Sequence, residues 1–330
     1  MQFGQLKRRD FISVLGGAVA WPLAARAQQA AMPLVGFLGP ASAAGYVPFL
    51  TAFREGLSAS GYVEGRNVTI EYRWANDRYD LLPALATDLV NRRVSALATG
   101  GATAAALAAK NATTTIPVVF SIGADPVKFG LVASLNRPGG NVTGVSFLAN
   151  ALMAKRLEVL GELLPGTDKF AVLINPSNPN AVSDTQDVLS AASALGRQVF
   201  VVKATEQREL DEVFNSLTRQ QARALLVLPD ALFTSRPQQL SILATHHRLP
   251  AIYPNRLFSD AGGLMSYGTD QLEAYREAGR YVGRILKGER PSDLPVVQST
   301  KFEFVINLKT ARTLGIDIPA KLLAIADEVI

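Results

Sequence analysis

The feature that most constrains this chain is a strand-and-helix pattern that runs through the sequence twice. Short apolar runs begin near residues 34, 67 and 94, and comparable runs begin near residues 170, 198 and 224. The offset between the two sets is nearly constant, from 130 to 136 residues, although few residues are identical. A repeated architecture without repeated sequence predicts two similar lobes, and 330 residues are enough to bury two cores.

Apolar strands alternate with helices in both halves, which predicts an α/β fold with parallel sheets and helices on both faces. Asn67–Trp74 alternates apolar and polar side chains as a strand does, and Gln271–Gly288 has the apolar spacing of an amphipathic helix. The other predicted strands are Leu34–Leu38, Ile116–Phe120, Val142–Phe147, Phe170–Ile174, Gln198–Val202, Ala224–Leu228, Ala251–Tyr253, Leu264–Tyr267 and Lys301–Ile306, and the other predicted helices are Phe49–Ala59, Tyr79–Arg92, Met153–Leu164, Asn180–Leu195, Leu210–Gln220, Pro237–His247 and Leu308–Leu314.

The first 27 residues have the pattern of an export signal. Residues 7–12 contain a twin-arginine pair, an apolar run follows to Leu23, and Ala25-Arg26-Ala27 fits an A-x-A cleavage site. The run is too short and too interrupted to span a bilayer as a mature helix. We therefore expect residues 1–27 to be a twin-arginine signal peptide cleaved near Ala27, with an uncleaved anchor as the alternative. The mature chain would then reach the bacterial periplasm without spanning the membrane.

The net charge is positive, but much of it lies in that segment. The chain carries 33 Lys and Arg against 28 Asp and Glu, a formal charge of +5. Residues 1–27 account for +3 of this charge and the remainder for +2. No basic stripe interleaved with aromatic side chains occurs, so nucleic acid is not an expected partner. The chain contains no cysteine, which excludes disulfides and a lipid-modified cysteine.

No residues with the spacing of a catalytic or metal site are present. The sequence lacks a G-x-S-x-G nucleophile turn, a G-x-x-x-x-G-K-[ST] phosphate loop, and H-E-x-x-H or cysteine–histidine spacings. His246 and His247 are adjacent at the end of a predicted helix, so they point to different faces. We therefore expect no enzyme activity and no bound metal or cofactor.

One strand-to-helix turn is favoured as a ligand contact. The segment from Val94 to Lys110 begins as an apolar strand, passes through Gly100 and Gly101, and continues as an alanine-rich helix near Thr103. Unpaired N–H groups and the helix dipole at such an N-terminus favour a carboxylate or phosphate. The alternative is an ordinary turn, of which an α/β chain has many. Gly101 and Thr103 are therefore candidate ligand-binding residues.

Other small or polar residues follow the predicted strands in both halves. Ligands bind at the carboxyl ends of strands in open parallel sheets, so these positions are further candidates. Each of them also fits a helix cap or a turn when taken singly. With no catalytic set beside them, the collection indicates a ligand held between two lobes. The further candidates are Ser42, Tyr46, Asp125, Asn175, Asn178, Asp230 and Tyr253.

Five segments carry a resemblance to a known family. They are Gly61–Val68, Phe120–Gly130, Arg137–Val145, Leu173–Pro179 and Val305–Ala311, and together they span nearly the whole mature chain. The third and fifth segments are the most specific. On these residues the sequence resembles the ABC-transporter substrate-binding proteins of the family that includes tryptophan- and phenylalanine-binding members, which have the type I periplasmic-binding-protein fold.

The resemblance implies two Rossmann-like lobes joined by three crossings, with a ligand cleft between them. Lobe 1 would comprise residues 32–146 plus 267–295, and lobe 2 would comprise residues 147–266 plus 296–330. The implied function is that of a periplasmic solute-binding component of an ABC importer, which closes around a small molecule and delivers it to a membrane permease. The alternative is a sensory module or a periplasmic enzyme on the same fold. We expect a monomer.

The resemblance also implies how an amino acid or similar carboxylate would lie in the cleft. Its carboxylate would meet Thr103 and the N–H groups nearby. Its ammonium group would meet Asp125 or Asp230. Tyr46 or Tyr253 would stack on an apolar or aromatic tail.

Overall fold

Two β-sheets organise the part of the chain that this computed structural model describes, which is residues 32–166 and 169–330. Leu34–Ile330 form one compact unit. The signal peptide expected over residues 1–27 lies outside the described residues. Within the described part, no helix is both long enough and apolar enough to cross a membrane.

The first sheet contains six strands, which are β1 (Leu34–Gly39), β2 (Thr69–Trp74), β3 (Ala96–Gly100), β4 (Val118–Ile122), β5 (Val142–Ser146) and β11 (Val297–Gln298). Their order across the sheet is β11-β5-β4-β3-β1-β2, and every neighbouring pair is parallel. The three central strands β3, β4 and β5 are buried throughout, as expected for a parallel sheet whose faces are both covered.

The second sheet contains seven strands, which are β6 (Lys169–Ile174), β7 (Gln198–Lys203), β8 (Ala224–Val227), β9 (Ala251–Tyr253), β10 (Met265–Thr269), β12 (Phe302–Ile306) and β13 (Glu328–Val329). Their order is β13-β12-β10-β9-β8-β6-β7, and the pair β10 and β12 is antiparallel. The run β5-β4-β3-β1-β2 of the first sheet has the same connectivity as β10-β9-β8-β6-β7 of the second. The predicted α/β fold with a duplicated, mostly parallel architecture is confirmed. We call each sheet with its helices lobe 1 and lobe 2.

Helices pack against the sheet of each lobe. Lobe 1 contains α1 (Val47–Ala59), α2 (Leu82–Asn91), α3 (Thr103–Ala112) and α10 (Gln271–Leu286). Lobe 2 contains α4 (Met153–Leu163), α5 (Ala181–Ala194), α6 (Leu210–Arg219), α7 (Ala231–Thr234), α8 (Pro237–His246), α9 (Arg256–Asp260), α11 (Leu308–Leu314) and α12 (Ala320–Ile325). The longer elements agree with the sequence-based prediction to within a few residues. The sequence pattern does not predict β11, β13, α7, α9 or α12, because two to six residues carry no readable period.

The chain passes between the lobes after β5, after β10 and after β11. Hydrogen bonds tie these three crossings to one another. Thr269 Oγ1 donates to the Phe147 carbonyl at 2.5 Å, and the Ser299 N–H donates to the Ser146 carbonyl at 3.0 Å. The crossings therefore lie side by side as one hinge.

Strand pairing moves two of the expected lobe boundaries by a few residues. The boundary expected at residue 267 falls inside β10, which pairs with β12 as far as Thr269 opposite Phe302. The boundary expected after residue 295 falls just before β11, in which Val297 pairs with Val145 of lobe 1. Both differences arise because strand pairing decides which sheet a segment joins, and the apolar pattern alone does not contain that information.

A buried arginine fixes the backbone around the hinge. Arg156 of α4 is fully buried, and it donates to the carbonyls of Ala149 at 2.9 Å, Tyr267 at 2.7 Å and Pro254 at 3.4 Å. Burial lowers the pKa of Arg156 to about 9, although it still carries its charge at neutral pH. The guanidinium therefore joins α4 to the first crossing, to β10 and to the turn after β9.

Glycines bring α1 and α10 into backbone contact in lobe 1. A methyl group at Gly279 would lie 2.1 Å from the Phe53 carbonyl oxygen, and one at Gly56 would lie 1.8 Å from the Arg276 carbonyl oxygen. Ala274, Ala278 and Val282 of α10 also belong to the lobe 1 core. Helix α10 is thus part of lobe 1, although it follows most of lobe 2 in the sequence.

Candidate functional site

A small closed cavity lies between the two lobes, where the turns after β3 and β8 face each other. Its volume is about 20 Å³, which is room for about one water molecule. Around this cavity the two lobes are therefore closed on each other. The lining comes from both lobes and from the hinge, and it consists of Tyr46, Phe49, Gly101, Ala102, Thr103, Gly123, Phe147, Asn150, Asn178, Asn180, Pro229, Asp230, Thr234, Gln271 and Tyr275.

The lobe 1 wall is the turn between β3 and α3, the turn favoured by the sequence. Gly101 has a left-handed backbone with φ of +77°, and a methyl group there would lie 2.2 Å from Tyr46 Oη, so only glycine fits. Thr103 begins α3, and the N–H groups of Thr103 and Ala104 have no carbonyl acceptor within the helix. Thr103 Oγ1 is buried and has no hydrogen-bond partner among the described residues. This wall offers a hydroxyl and backbone donors to a ligand.

Asp230 organises the lobe 2 wall. Its Oδ1 accepts from Asn175 Nδ2 at 3.1 Å and from the Leu232 N–H at 2.8 Å, and its Oδ2 accepts from Asn178 Nδ2 at 2.8 Å and from Tyr79 Oη at 3.0 Å. These four donors match the four acceptor positions of a carboxylate. Burial raises the pKa of Asp230, and the hydrogen bonds from Asn175 and Asn178 act in the opposite direction. Asp230 is thus the N-cap of α7 and a link to lobe 1, to which Tyr79 belongs.

Asn180 completes the lobe 2 wall and is absent from the sequence-based candidates. It precedes α5, its side chain makes no capping hydrogen bond, and only 4% of its surface is exposed. Its N–H donates to Asn178 Oδ1 at 3.0 Å, which fixes the loop. Its own Oδ1 is buried and has no partner within the described part of the chain. Lobe 2 therefore presents an unpaired acceptor to the cavity whose other wall carries Thr103.

Asn150 brings the first crossing into the lining and binds it to lobe 2. Its Nδ2 donates to Asp184 Oδ2 on α5. Burial raises the pKa of Asp184 to about 7, whereas the hydrogen bond from Asn150 and the charges of Lys128 and Arg156 act in the opposite direction. Asp184 lies behind Asn150, outside the lining.

Aromatic rings form the lobe 1 floor of the cavity. The Tyr46 ring centroid lies 5.2 Å from that of Phe49 and 6.4 Å from that of Tyr275, and the Phe49 and Tyr275 centroids are 4.9 Å apart. The hydroxyls of Tyr46 and Tyr275 both approach Gly101. This floor is a packed apolar surface with two polar tips, which suits the apolar or aromatic part of a ligand.

Two of the sequence-based candidates lie in the core or on the surface instead of in the cavity. Tyr253 is fully buried in lobe 2, where its ring stacks on Phe258 at 4.5 Å and its Oη donates to the Leu240 carbonyl at 3.4 Å. Asp125 is exposed, and its Oδ1 accepts from the N–H groups of the two following non-proline residues. The expected roles of Tyr253 in stacking and of Asp125 in binding an ammonium group are therefore corrected.

Ser42 and Asn175 are not among the residues that line the cavity. Ser42 Oγ accepts weakly from the Gly45 N–H at 3.4 Å within its own loop. Asn175 is buried and acts through its hydrogen bond to Asp230. Of the nine sequence-based candidates, the structure brings Tyr46, Gly101, Thr103, Asn178 and Asp230 together at the cavity.

The lining residues that sequence reasoning missed come mainly from the hinge and from α10. Asn150, Gln271 and Tyr275 lie far in sequence from the strand ends that they meet, so no local pattern marks them. Asn180 had a usable signal, because it is the third of three asparagines in the turn that follows β6. The described residues contain no group of three or more His, Cys, Asp or Glu that could hold a metal ion.

An ion pair joins the lobes beside the cavity. Arg236 of lobe 2 approaches Asp77 of lobe 1 with both terminal nitrogens, and its Nη1 lies 3.3 Å from Asp77 Oδ1. The two side chains are 12% and 10% exposed. Together with the hydrogen bond from Tyr79 to Asp230, this pair connects the two lobes.

Comparisons with known proteins agree with one another. A family model described as "ABC transporter substrate binding protein" matches residues 42–330. A curated protein named "Tyrosine-binding protein", from Clostridioides difficile strain R20291, is 29% identical to the chain over 262 residues. That alignment covers 79% of this chain and 75% of the relative.

Two solved structures are similar to the chain over most of its length. An ABC domain from Streptococcus pneumonia in complex with L-Trp has a TM-score of 0.77 at 26% identity, over 90% of this chain and 100% of that one. A ligand-free, open substrate-binding protein with adhesive properties from Clostridium difficile has a TM-score of 0.60 at 25% identity, over 90% and 99%. At nearly equal identity the chain is more similar to the L-Trp complex than to the ligand-free, open structure.

Proposed function

Because the chain belongs to the family of ABC transporter substrate-binding proteins, we propose that it is the periplasmic solute-binding component of an ABC importer. It takes up an amino acid, or a related carboxylate or aromatic compound, between its lobes and delivers it to a membrane permease. The observation that carries the proposal is the closed cavity, into which each lobe presents a buried and unpaired polar atom. Such atoms are stabilised when a ligand supplies the missing hydrogen bonds.

The start of α3 is the proposed contact for the carboxylate of the ligand. Thr103 Oγ1 and the N–H groups of Thr103 and Ala104 are donors, and the helix dipole adds to their attraction for an anion. The floor of Tyr46, Phe49 and Tyr275 then faces the ligand's side chain. The named relatives bind tyrosine and L-Trp, so aromatic amino acids are the first compounds to test.

Ligand exchange in this proposal requires the lobes to separate. An amino acid is much larger than the single water molecule for which the closed cavity has room. One wall of the cavity belongs to lobe 1 and the other to lobe 2. Closure around the ligand would give the permease a form that differs from the empty protein. The proposed periplasmic location rests on the twin-arginine pattern of residues 1–27, and we propose a monomer.

Isothermal titration calorimetry on the mature chain, starting at Gln28, tests the proposal. The panel consists of L-tyrosine, L-tryptophan, L-alanine and the corresponding compounds without a carboxylate. We expect saturable binding of at least one carboxylate at a ratio of one per chain, and no binding of its decarboxylated analogue. Absence of binding to every carboxylate, or slow chemical conversion of one of them, would contradict the proposal.

A further inference from the structure

The cavity contains no carboxylate with capacity for a ligand's ammonium group. Among the described residues that line it, Asp230 is the sole charged side chain. Both of its oxygens already accept two hydrogen bonds each, from Asn175, Leu232, Asn178 and Tyr79. A fifth hydrogen-bond donor would have to displace one of these four. Leu232 donates the bond that caps α7, Asn175 and Asn178 belong to the neighbouring loop, and Tyr79 makes the contact between the lobes.

Two other acids lie near the site in sequence or in space, and neither reaches the cavity. Asp125 is exposed and is bound to the backbone of its own turn. Asp184 lies behind Asn150, which lines the cavity and donates to the Asp184 carboxylate. The acidic groups around the site are therefore used by the protein itself.

Asn180 supplies the lining with an acceptor that the protein itself does not use. Asn180 lines the cavity, and its Oδ1 is buried, lacks a partner among the described residues and is not needed as a helix cap. It lies on lobe 2, whereas the donors for the carboxylate lie on lobe 1 around Thr103. A ligand held between these two walls would therefore have its anionic end at α3 and a hydrogen-bond donor at Asn180.

A carboxamide oxygen accepts a hydrogen bond from an ammonium group and from a hydroxyl group alike. Ion pairing with a carboxylate would favour the ammonium group strongly. The one carboxylate among the described lining residues, that of Asp230, has no acceptor position left for such a pair. We propose that Asn180 Oδ1 binds the donor next to the ligand's carboxylate, so that the site accepts α-amino acids and α-hydroxy acids as one substrate class. This inference rests on the proposed function, because it requires a carboxylate ligand in the cavity.

Matched pairs of compounds that differ only in this donor test the inference. Calorimetry on the mature chain compares L-alanine with L-lactate, L-tyrosine with 4-hydroxyphenyl-L-lactate, and L-tryptophan with indole-3-L-lactate. We expect the two dissociation constants of each pair that binds to differ by less than about tenfold. A preference for the amino acid of more than tenfold overturns the inference and leaves the proposed function intact. Failure of all six compounds to bind overturns both.

Variants of Asn180 assign the effect to this residue. Asn180→Asp supplies a carboxylate at the same position, and we expect the preference for the amino acid over the hydroxy acid to rise at least tenfold. Gln186→Glu on the exposed face of α5 adds the same charge away from the cavity and should leave the preference unchanged. Asn180→Ser keeps an oxygen at a shorter reach and serves as the folding control, checked by its melting temperature. An unchanged preference in Asn180→Asp overturns the assignment.

Discussion

At the scale of single residues, the buried polar side chains of the cavity walls include two groups. Asn175, Asn178 and Asp230 satisfy one another inside lobe 2, and their hydrogen bonds shape the wall of the cavity. Thr103 Oγ1 and Asn180 Oδ1 line the same cavity and have no partner among the described residues. Because an unsatisfied buried polar atom destabilises a fold by about 1–3 kcal/mol, the second group marks where a ligand would bind.

Replacing Thr103 by valine removes the hydroxyl and keeps the shape of the side chain. If the hydroxyl donates to a ligand carboxylate, affinity for the best ligand should fall by about 1–3 kcal/mol, measured by calorimetry. Thr99→Val is the matched control, because Thr99 Oγ1 is also buried and unpaired in lobe 1 but lies outside the lining. Equal losses in both variants would show that Thr103 has no direct contact with the ligand.

Asp184 should make the stability of the protein depend on pH. Burial raises its pKa to about 7 from the ordinary value of 3.8. Between about pH 4 and pH 7 the unfolded chain therefore loses this proton while the folded protein keeps it, so the free energy of unfolding falls as pH rises and levels off above about 7. The contribution to the slope is at most about 1.4 kcal/mol per pH unit.

Urea unfolding at several pH values checks this contribution. In Asp184→Asn the carboxyl group is absent, so the fall in stability between pH 4 and pH 7 should be smaller than in the unmodified protein. Asp317→Asn, at an exposed position of lobe 2, is the control. Parallel pH profiles for the unmodified protein and Asp184→Asn would contradict the assignment.

At the scale of elements, helix periodicity and strand alternation predict secondary structure over about ten residues but not over about four. The long helices and central strands therefore follow the sequence closely, whereas α7 and β11 do not. The site shows the same limit. Gly101 and Thr103 follow from one local strand-to-helix turn, but Tyr275 and Gln271 reach the cavity only because α10 returns to lobe 1.

The contact between α1 and α10 should be intolerant of a single added methyl group. In Gly279→Ala the new methyl would lie 2.1 Å from the Phe53 carbonyl oxygen, which is backbone and cannot rotate away. We expect a loss of about 1–3 kcal/mol in the free energy of unfolding, despite the better helix propensity of alanine. Gly140→Ala is the control, because a methyl group there meets open space. Its free energy of unfolding should change by less than about 0.5 kcal/mol.

At the scale of the whole molecule, the duplicated pattern predicted two lobes, but it did not contain their contacts. The bidentate pair of Asp77 and Arg236 joins residues 159 positions apart in the sequence, and the hinge brings together three distant segments. Such contacts depend on how the finished lobes meet. The closed state is therefore a property of the structure that the sequence pattern alone did not reveal.

Removing the ion pair between the lobes should favour the open state. Asp77→Asn leaves Arg236 without its carboxylate partner, and Asp77 is not among the residues that line the cavity. Because ligand affinity falls in proportion to the population of the binding-competent form, we expect about 3- to 30-fold weaker binding and a larger radius of gyration by X-ray scattering. Asp80→Asn is the control, since its partner Arg78 belongs to the same lobe and the pair is exposed. Similar affinities in both variants would contradict a role for Asp77 in closure.

The position of α10 also has a consequence for the order in which the protein is made. This helix packs against α1 in lobe 1, yet the ribosome synthesises it after β6 to β10 of lobe 2. The first 146 residues can form their five strands early, but the apolar face that α10 covers stays bare until residue 286 has emerged. The two lobes therefore complete their cores almost together, late in translation. A nascent chain that stops before Gln271 exposes this face to solvent and is a candidate for chaperone binding.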